Sequence, residues 1–123
     1  MNKVERLEVL KRKVELEKKS AEKELKRFQD DFVKNSTFAL EWADSTVEAS
    51  QLKDLCIFLD KWITKGEKDN LSAEVLYDAV KEYLLMDAIN YGSWGEKSTS
   101  AMSNLSKRAY LKVRADFFKQ VFI

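Results

Sequence analysis

Residues 52–63, LKDLCIFLDKWI, carry the densest helical apolar pattern in the chain, and that pattern narrows the choice of fold. Leu52, Leu55, Cys56, Leu59, Trp62 and Ile63 recur at intervals of three and four residues, so a helix places them on one face. Any packing of the remaining segments has to cover that face. Ile57 falls on the opposite side, between Lys53 and Lys61, where it needs either a second neighbour or a contact surface.

The other segments repeat the same period. Residues 1–34 read as one long amphipathic helix with the stripe Val4, Leu7, Leu10, Val14, Ala21, Leu25, Phe28 and Phe32. The stripe is thin, close to a coiled-coil seam, and Glu17 and Lys18 interrupt it. A helix of this length is on the order of 50 Å long, so part of it is expected to project from the bundle or to pair with a second copy. Asn35-Ser36-Thr37 reads as a break, and residues 36–64 as the second helical stretch. Within it, Ser45-Thr46-Val47-Glu48 fits a capping box, which predicts a kink or a fresh start near residue 45. Lys65-Gly66 supplies a basic last turn and a glycine stop. Ser72 is a natural N-cap for a third helix over 72–91, with Glu74 in its first turn.

That third helix is apolar on most of its circumference. Leu76, Val80, Tyr83, Leu84, Ala88 and Tyr91 dominate one side, and Val75, Leu85, Met86 and Ile89 extend well round it. It is therefore expected to pack against more than one neighbour. Gly92-Ser93-Trp94-Gly95-Glu96 reads as a loop leading to a last helix over 99–121, with Met102, Leu105, Ala109, Val113, Phe117 and Val121 as its stripe. With no proline and only three glycines in 123 residues, the chain has few of the turn residues an all-β fold needs. The fold class that follows is all-α: a four- to five-helix bundle in a single domain, 1–123, with a long N-terminal helix and a second helix kinked near residue 45.

The residue types exclude several chemistries. There is no histidine, and Cys56 is the only cysteine, so neither a Cys/His zinc site nor a Ser-His-Asp or Cys-His nucleophile can be built. No glycine-rich phosphate loop is present. No catalytic residue, metal site or cofactor is expected. The charged N-terminal stretch has no apolar signal core, and no apolar run reaches the length of a membrane span, so a cytoplasmic protein without a membrane partner is the expectation.

Two sets of residues remain as candidates for binding. Net charge is +1 overall, but residues 66–92 hold six acids against two lysines, and residues 93–123 hold six cations against two acids. The cations of the last helix, Lys107, Arg108, Lys112 and Arg114, together with Trp94, form a candidate partner-binding surface for an acidic protein. The same cations, with Tyr110 and Trp94 to stack bases, suit nucleic acid as an alternative. A solvated helix face, or one neutralised by the acidic middle of the chain, has the same appearance. The second candidate is a small ligand pocket around Asp87, with Tyr83 and Tyr91 four residues away on either side. Asp87 sits on the apolar side of its helix, where a carboxylate needs a partner; Arg108 or Arg114 could supply one. The functional expectation is a small non-enzymatic helical protein that docks on a macromolecular partner, a protein before a nucleic acid, and modulates or inhibits it. The composition suits a phage or mobile-element accessory protein acting on a host enzyme or defence complex, although no motif carries that reading. A homodimer through helix 1 is the expected form of self-association.

Overall fold

The structure, a computed structural model, describes residues 1–34, 43–95 and 105–123, with side chains over 1–31, 45–91 and 107–123. Among the described residues there are four helices and no strand: α1 (Lys3–Lys34), α2 (Ala43–Lys68), α3 (Ala73–Gly95) and α4 (Leu105–Phe122). They form an all-α bundle. The expected capping segment near residue 45 lies inside α2, which is already helical from Ala43, and residues 35–42 lie outside the described residues.

The starts of α1 and α3 are set by side-chain caps. At α1 the Asn2 carbonyl oxygen accepts from the Glu5 amide at 2.9 Å. At α3 the Ser72 hydroxyl accepts from the Val75 amide at 3.2 Å, as the sequence predicts. The end of α2 departs from the glycine stop. The Leu71 amide donates to the Gly66 carbonyl at 3.0 Å and the Asn70 amide to the Glu67 carbonyl at 3.1 Å, the paired closure of a Schellman motif. Asn70 is the left-handed residue, with φ 61°, and asparagine tolerates that conformation better than most side chains. Gly66 serves a different purpose. It is buried in the last turn, and a Cβ there would run into the Leu76 side chain of α3. The glycine lets the α2–α3 hairpin close.

Helix α1 packs against α2 and, near its start, against α3; α4 packs against α2 and α3. Lys11 reaches Glu67 at the far end of α2, whereas residues 17–24 lie beside the start of α2, so these helices run antiparallel. One core joins all four: Leu7, Leu10 and Val14 from α1, Leu55, Cys56, Leu59 and Ile63 from α2, Leu76, Tyr77, Val80 and Leu84 from α3, and Val113, Phe117 and Phe118 from α4. Leu10, Leu55, Leu59 and Leu84 are 0% exposed, each worth about 1.5–3 kcal/mol of burial. The face read from residues 52–63 is thus the centre of the bundle. Ile57, on its back, is half-buried.

The seam of α1 is used within the chain. Leu7, Leu10, Val14, Ala21 and Phe28 are all buried, and Phe28, at 8% exposure, shows that the helix is covered well into its C-terminal half instead of projecting. A dimer through α1 would have to use its outer residues, among them Val4, Val9 and Leu16, which are exposed. Glu17, one of the two residues that interrupt the seam, and Glu24 line a cavity of about 260 Å³ between α1, α2 and α4. Glu17 is held there by Lys13 at 2.7 Å. The acids share the lining of this cavity with Leu52, Val113 and Phe117.

Candidate functional site

Helix α4 distributes the predicted cations unequally. Lys107 and Arg108, on its first turns, are exposed. Lys112 is half-buried, and its ammonium donates to the Glu48 carboxylate of α2 at 2.9 Å. That hydrogen bond raises the Lys112 pKa, with Glu48, Asp116 and Tyr91 adding charge attraction. Arg114 is not on the surface. It is 5% exposed, and its guanidinium lies 3.6 Å above the Tyr110 ring. Its inclusion among the partner-binding cations is therefore corrected: the helix turns it towards α3, where it meets Asp87. The Trp94 side chain lies outside the described residues. The backbone at Trp94 continues α3 to Gly95, where the two glycines had predicted a loop.

The Asp87 prediction meets its partner here. Arg114 Nε approaches Asp87 Oδ2 at 3.3 Å, so the two candidate sets share one cluster at the α3–α4 interface. The pair is close but not aligned. Asp87 Oδ2, Arg114 Nε and Arg114 Nη1 are buried and without a hydrogen-bond partner among the described residues. Burial raises the Asp87 pKa, and the neighbouring guanidinium offsets this only in part. Tyr110 is raised too, by burial and then by its hydrogen bond to Tyr83. Tyr83 in turn stands edge-on to Trp62 at 5.6 Å and tilted against Phe58 at 5.4 Å, which carries the cluster across to α2. Tyr91 is half-buried and acts electrostatically on Lys112.

This arrangement binds helices together. It holds an ion pair, a stacked ring and tyrosine hydroxyls, with no nucleophile set against a base. The cavity between α1, α2 and α4 opens beside Glu48 and Asp116, away from the residues expected to line a ligand pocket. Cys56 is fully buried, and burial pushes its thiol pKa up to about 12, which makes it a core residue. Among the described residues there is no cluster of three or more His, Cys, Asp or Glu side chains fit to hold a metal ion. No helix among them is long and apolar enough to cross a membrane.

The feature that sequence reasoning misplaced is the outer face of α3. Of its expected inner face, Leu76, Val80 and Leu84 are buried and Tyr83, Ala88 and Tyr91 half-buried, and Tyr77, which the stripe did not include, is buried with them. Val75, Leu85, Met86 and Ile89 remain 53, 39, 57 and 56% exposed. The sequence signal was present, since these side chains extend the apolar surface beyond what one core face needs. It was read as contact within the bundle. Comparison with protein-family models, with curated proteins and with solved structures returns no match for this chain.

Proposed function

We propose that the chain is a non-enzymatic binding protein that docks on a protein partner through the outer face of α3 and modulates that partner. The observation that carries this reading is the exposure of Val75, Leu85, Met86 and Ile89 on one side of a single helix. Scattered apolar residues on a surface need no explanation, but an apolar stripe framed by charge marks an interaction site. Leu85, Met86 and Ile89 form a patch about 6 Å long on that side, and Val75 stands about 15 Å before it, beyond Asp78 and Glu82. Met86 adds a flexible, polarizable contact suited to an irregular partner surface. The cationic surface of α4 supports the reading less well, because Lys112 is engaged by Glu48 and Arg114 is interior.

Affinity capture from the native source, run in parallel with the wild-type chain and with Met86→Glu/Ile89→Glu, tests the proposal. Both positions are exposed, so the double variant should fold normally. The expected outcome is specific loss of one or a few captured proteins. Recovery of the same proteins by both chains would exclude this face. Direct nucleic-acid binding through Lys107, Arg108 and Lys119, all exposed, is the second reading. It requires a steep fall in affinity as salt rises, and a flat mobility-shift titration would remove it.

A further inference from the structure

The charges on the outer face of α3 narrow what can lie on it. Glu74, Asp78 and Glu82 follow one another at four-residue spacing, and Met86 is the next position on the same ridge. All four are exposed. The carboxylates are thus stepped about 6 Å apart along the helix, one per turn, and lead into the apolar patch of Leu85, Met86 and Ile89. The row already holds one cation. The ammonium of Lys3, from the neighbouring helix α1, donates to Asp78 at 2.7 Å. Among the described residues neither Glu74 nor Glu82 has a salt bridge, although the Lys3 ammonium is also attracted by Glu74. The surrounding segment, residues 66–92, has six acids against two lysines; of the acids, Asp87 is turned to Arg114 and Glu67 to Lys11.

From these observations, and resting on the reading of α3 as a docking face, we infer that the partner presents a basic amphipathic helix. Its apolar stripe covers Leu85, Met86 and Ile89, and its lysines or arginines, one per turn, meet Glu74 and Glu82. The complementarity argues against the other occupants. A second copy of this face would set acidic rows against each other, and like charges brought together at an interface disfavour association. Nucleic acids and anionic membranes meet the same repulsion.

The test uses the full chain and two synthetic peptides of about 18 residues, five helical turns. Both carry the same leucine stripe; one fills the remaining positions with lysine, the other with glutamate. Binding is read by fluorescence anisotropy, and the site by amide shifts in the NMR spectrum. The expected result is binding of the Leu/Lys peptide alone, with shifts centred on residues 74–90. Met86→Ser/Ile89→Ser, which removes the apolar contact without adding charge, should weaken it by about tenfold or more, and Glu74→Lys/Glu82→Lys should transfer the preference to the Leu/Glu peptide. Equal binding of the two peptides, no binding, shifts centred on another helix, or sedimentation showing that the chain dimerises through this face would each overturn the inference. The broader reading fails separately. If Met86→Glu/Ile89→Glu abolishes capture of the native partner while the Leu/Lys peptide does not bind, the docking face stands and the basic helix is excluded.

Discussion

Lys112 and Arg114 stand two residues apart on α4, carry the same charge and each meet one carboxylate, yet their environments are opposite. Lys112 reaches Glu48 of α2 at 2.9 Å in a formed hydrogen bond, with the two side chains 38 and 36% exposed. Arg114 reaches Asp87 of α3 at 3.3 Å, with side chains 7 and 17% exposed and no aligned hydrogen bond. The better-made pair is the wetter one. A spacing of two residues rotates a side chain about 200° around a helix, so the two cations are sent to different neighbours. What each then contributes is decided by the water left around it. Near the surface, solvent screens the pair and supplies alternatives when one partner is lost. In the interior, losing one partner strands the other. The residue types suit these places. A guanidinium is planar and weakly hydrated enough to lie on the Tyr110 ring, where a lysine ammonium would lose more hydration and stack less well.

The largest expected effect follows from removing the buried cation. Arg114→Ala deprives Asp87 of its counter-charge and Tyr110 of the group above its ring, and should lower stability by about 3–5 kcal/mol in urea titrations. The double variant Asp87→Leu/Arg114→Met removes both charges and keeps most of the volume. It should lie within about 1 kcal/mol of the wild type or above it, because no desolvated charge remains. A single variant that costs less than about 1 kcal/mol would place Arg114 with Lys112, and the contrast between the pairs would collapse.

A smaller effect is expected from acid titration. The folded-state pKa of Asp87 is raised above its ordinary value of 3.8, chiefly by burial. The folded chain therefore holds this proton more tightly than the unfolded one. Its contribution favours folding most below the ordinary value and is lost as pH rises through the raised one. Asp87→Asn should remove that component, so the difference in stability between variant and wild type should change as pH rises from the ordinary value of 3.8 through the raised one and stay constant above it. A difference that is flat throughout would mean that Asp87 titrates in the folded chain as it does in water. The group is hemmed by Arg114 and by the Tyr83–Tyr110 hydroxyl pair, and burial holds the Tyr110 hydroxyl above its ordinary value of 10.0, so it does not titrate alongside the carboxyl.

The same contrast explains which parts of the molecule could be read from the sequence. The core face of residues 52–63, the seam of α1 and the Ser72 cap were legible because each is one-sided: apolar residues fall on one face, and a polar residue sits where a helix must begin. The all-α class follows from them. Helix α3 defeats that logic. Leu84 and Leu85 are adjacent leucines, but one is 0% and the other 39% exposed, and periodicity cannot separate inside from outside when both are apolar. Arg114 stood in two sets at once, as a surface cation and as a possible partner of Asp87, and the structure selects the second. A cation is assigned to the surface by default, and only the position of Asp87 across the helix interface reverses that. Gly66 shows a third limit. As a glycine near a helix end it suggested a stop, whereas Asn70 supplies the left-handed residue and Gly66 makes room for Leu76. Of the candidate site, Asp87 and its need for a partner were visible in the sequence. The exposure of the α3 face depends on where the other helices end, which no local pattern encodes.

The smallest effect should come from the pair that looks best on distance alone. Lys112→Ala leaves Glu48 more than one third exposed and free to recruit water, so the loss should be no more than about 1 kcal/mol. Salt should shrink it further, since screening acts on exposed charge and leaves the Arg114 pair almost untouched. Its pH dependence also runs at the other end of the scale. The hydrogen bond to Glu48 raises the Lys112 pKa above 10.5, so the stabilisation is complete below that value and disappears as pH climbs through the raised one. Urea titrations of Lys112→Ala and Arg114→Ala at low and high salt compare the two pairs directly. A Lys112→Ala loss that matched Arg114→Ala and resisted salt would mean that the α2–α4 contact excludes water as fully as the α3–α4 contact does, and solvent exposure would no longer explain the difference.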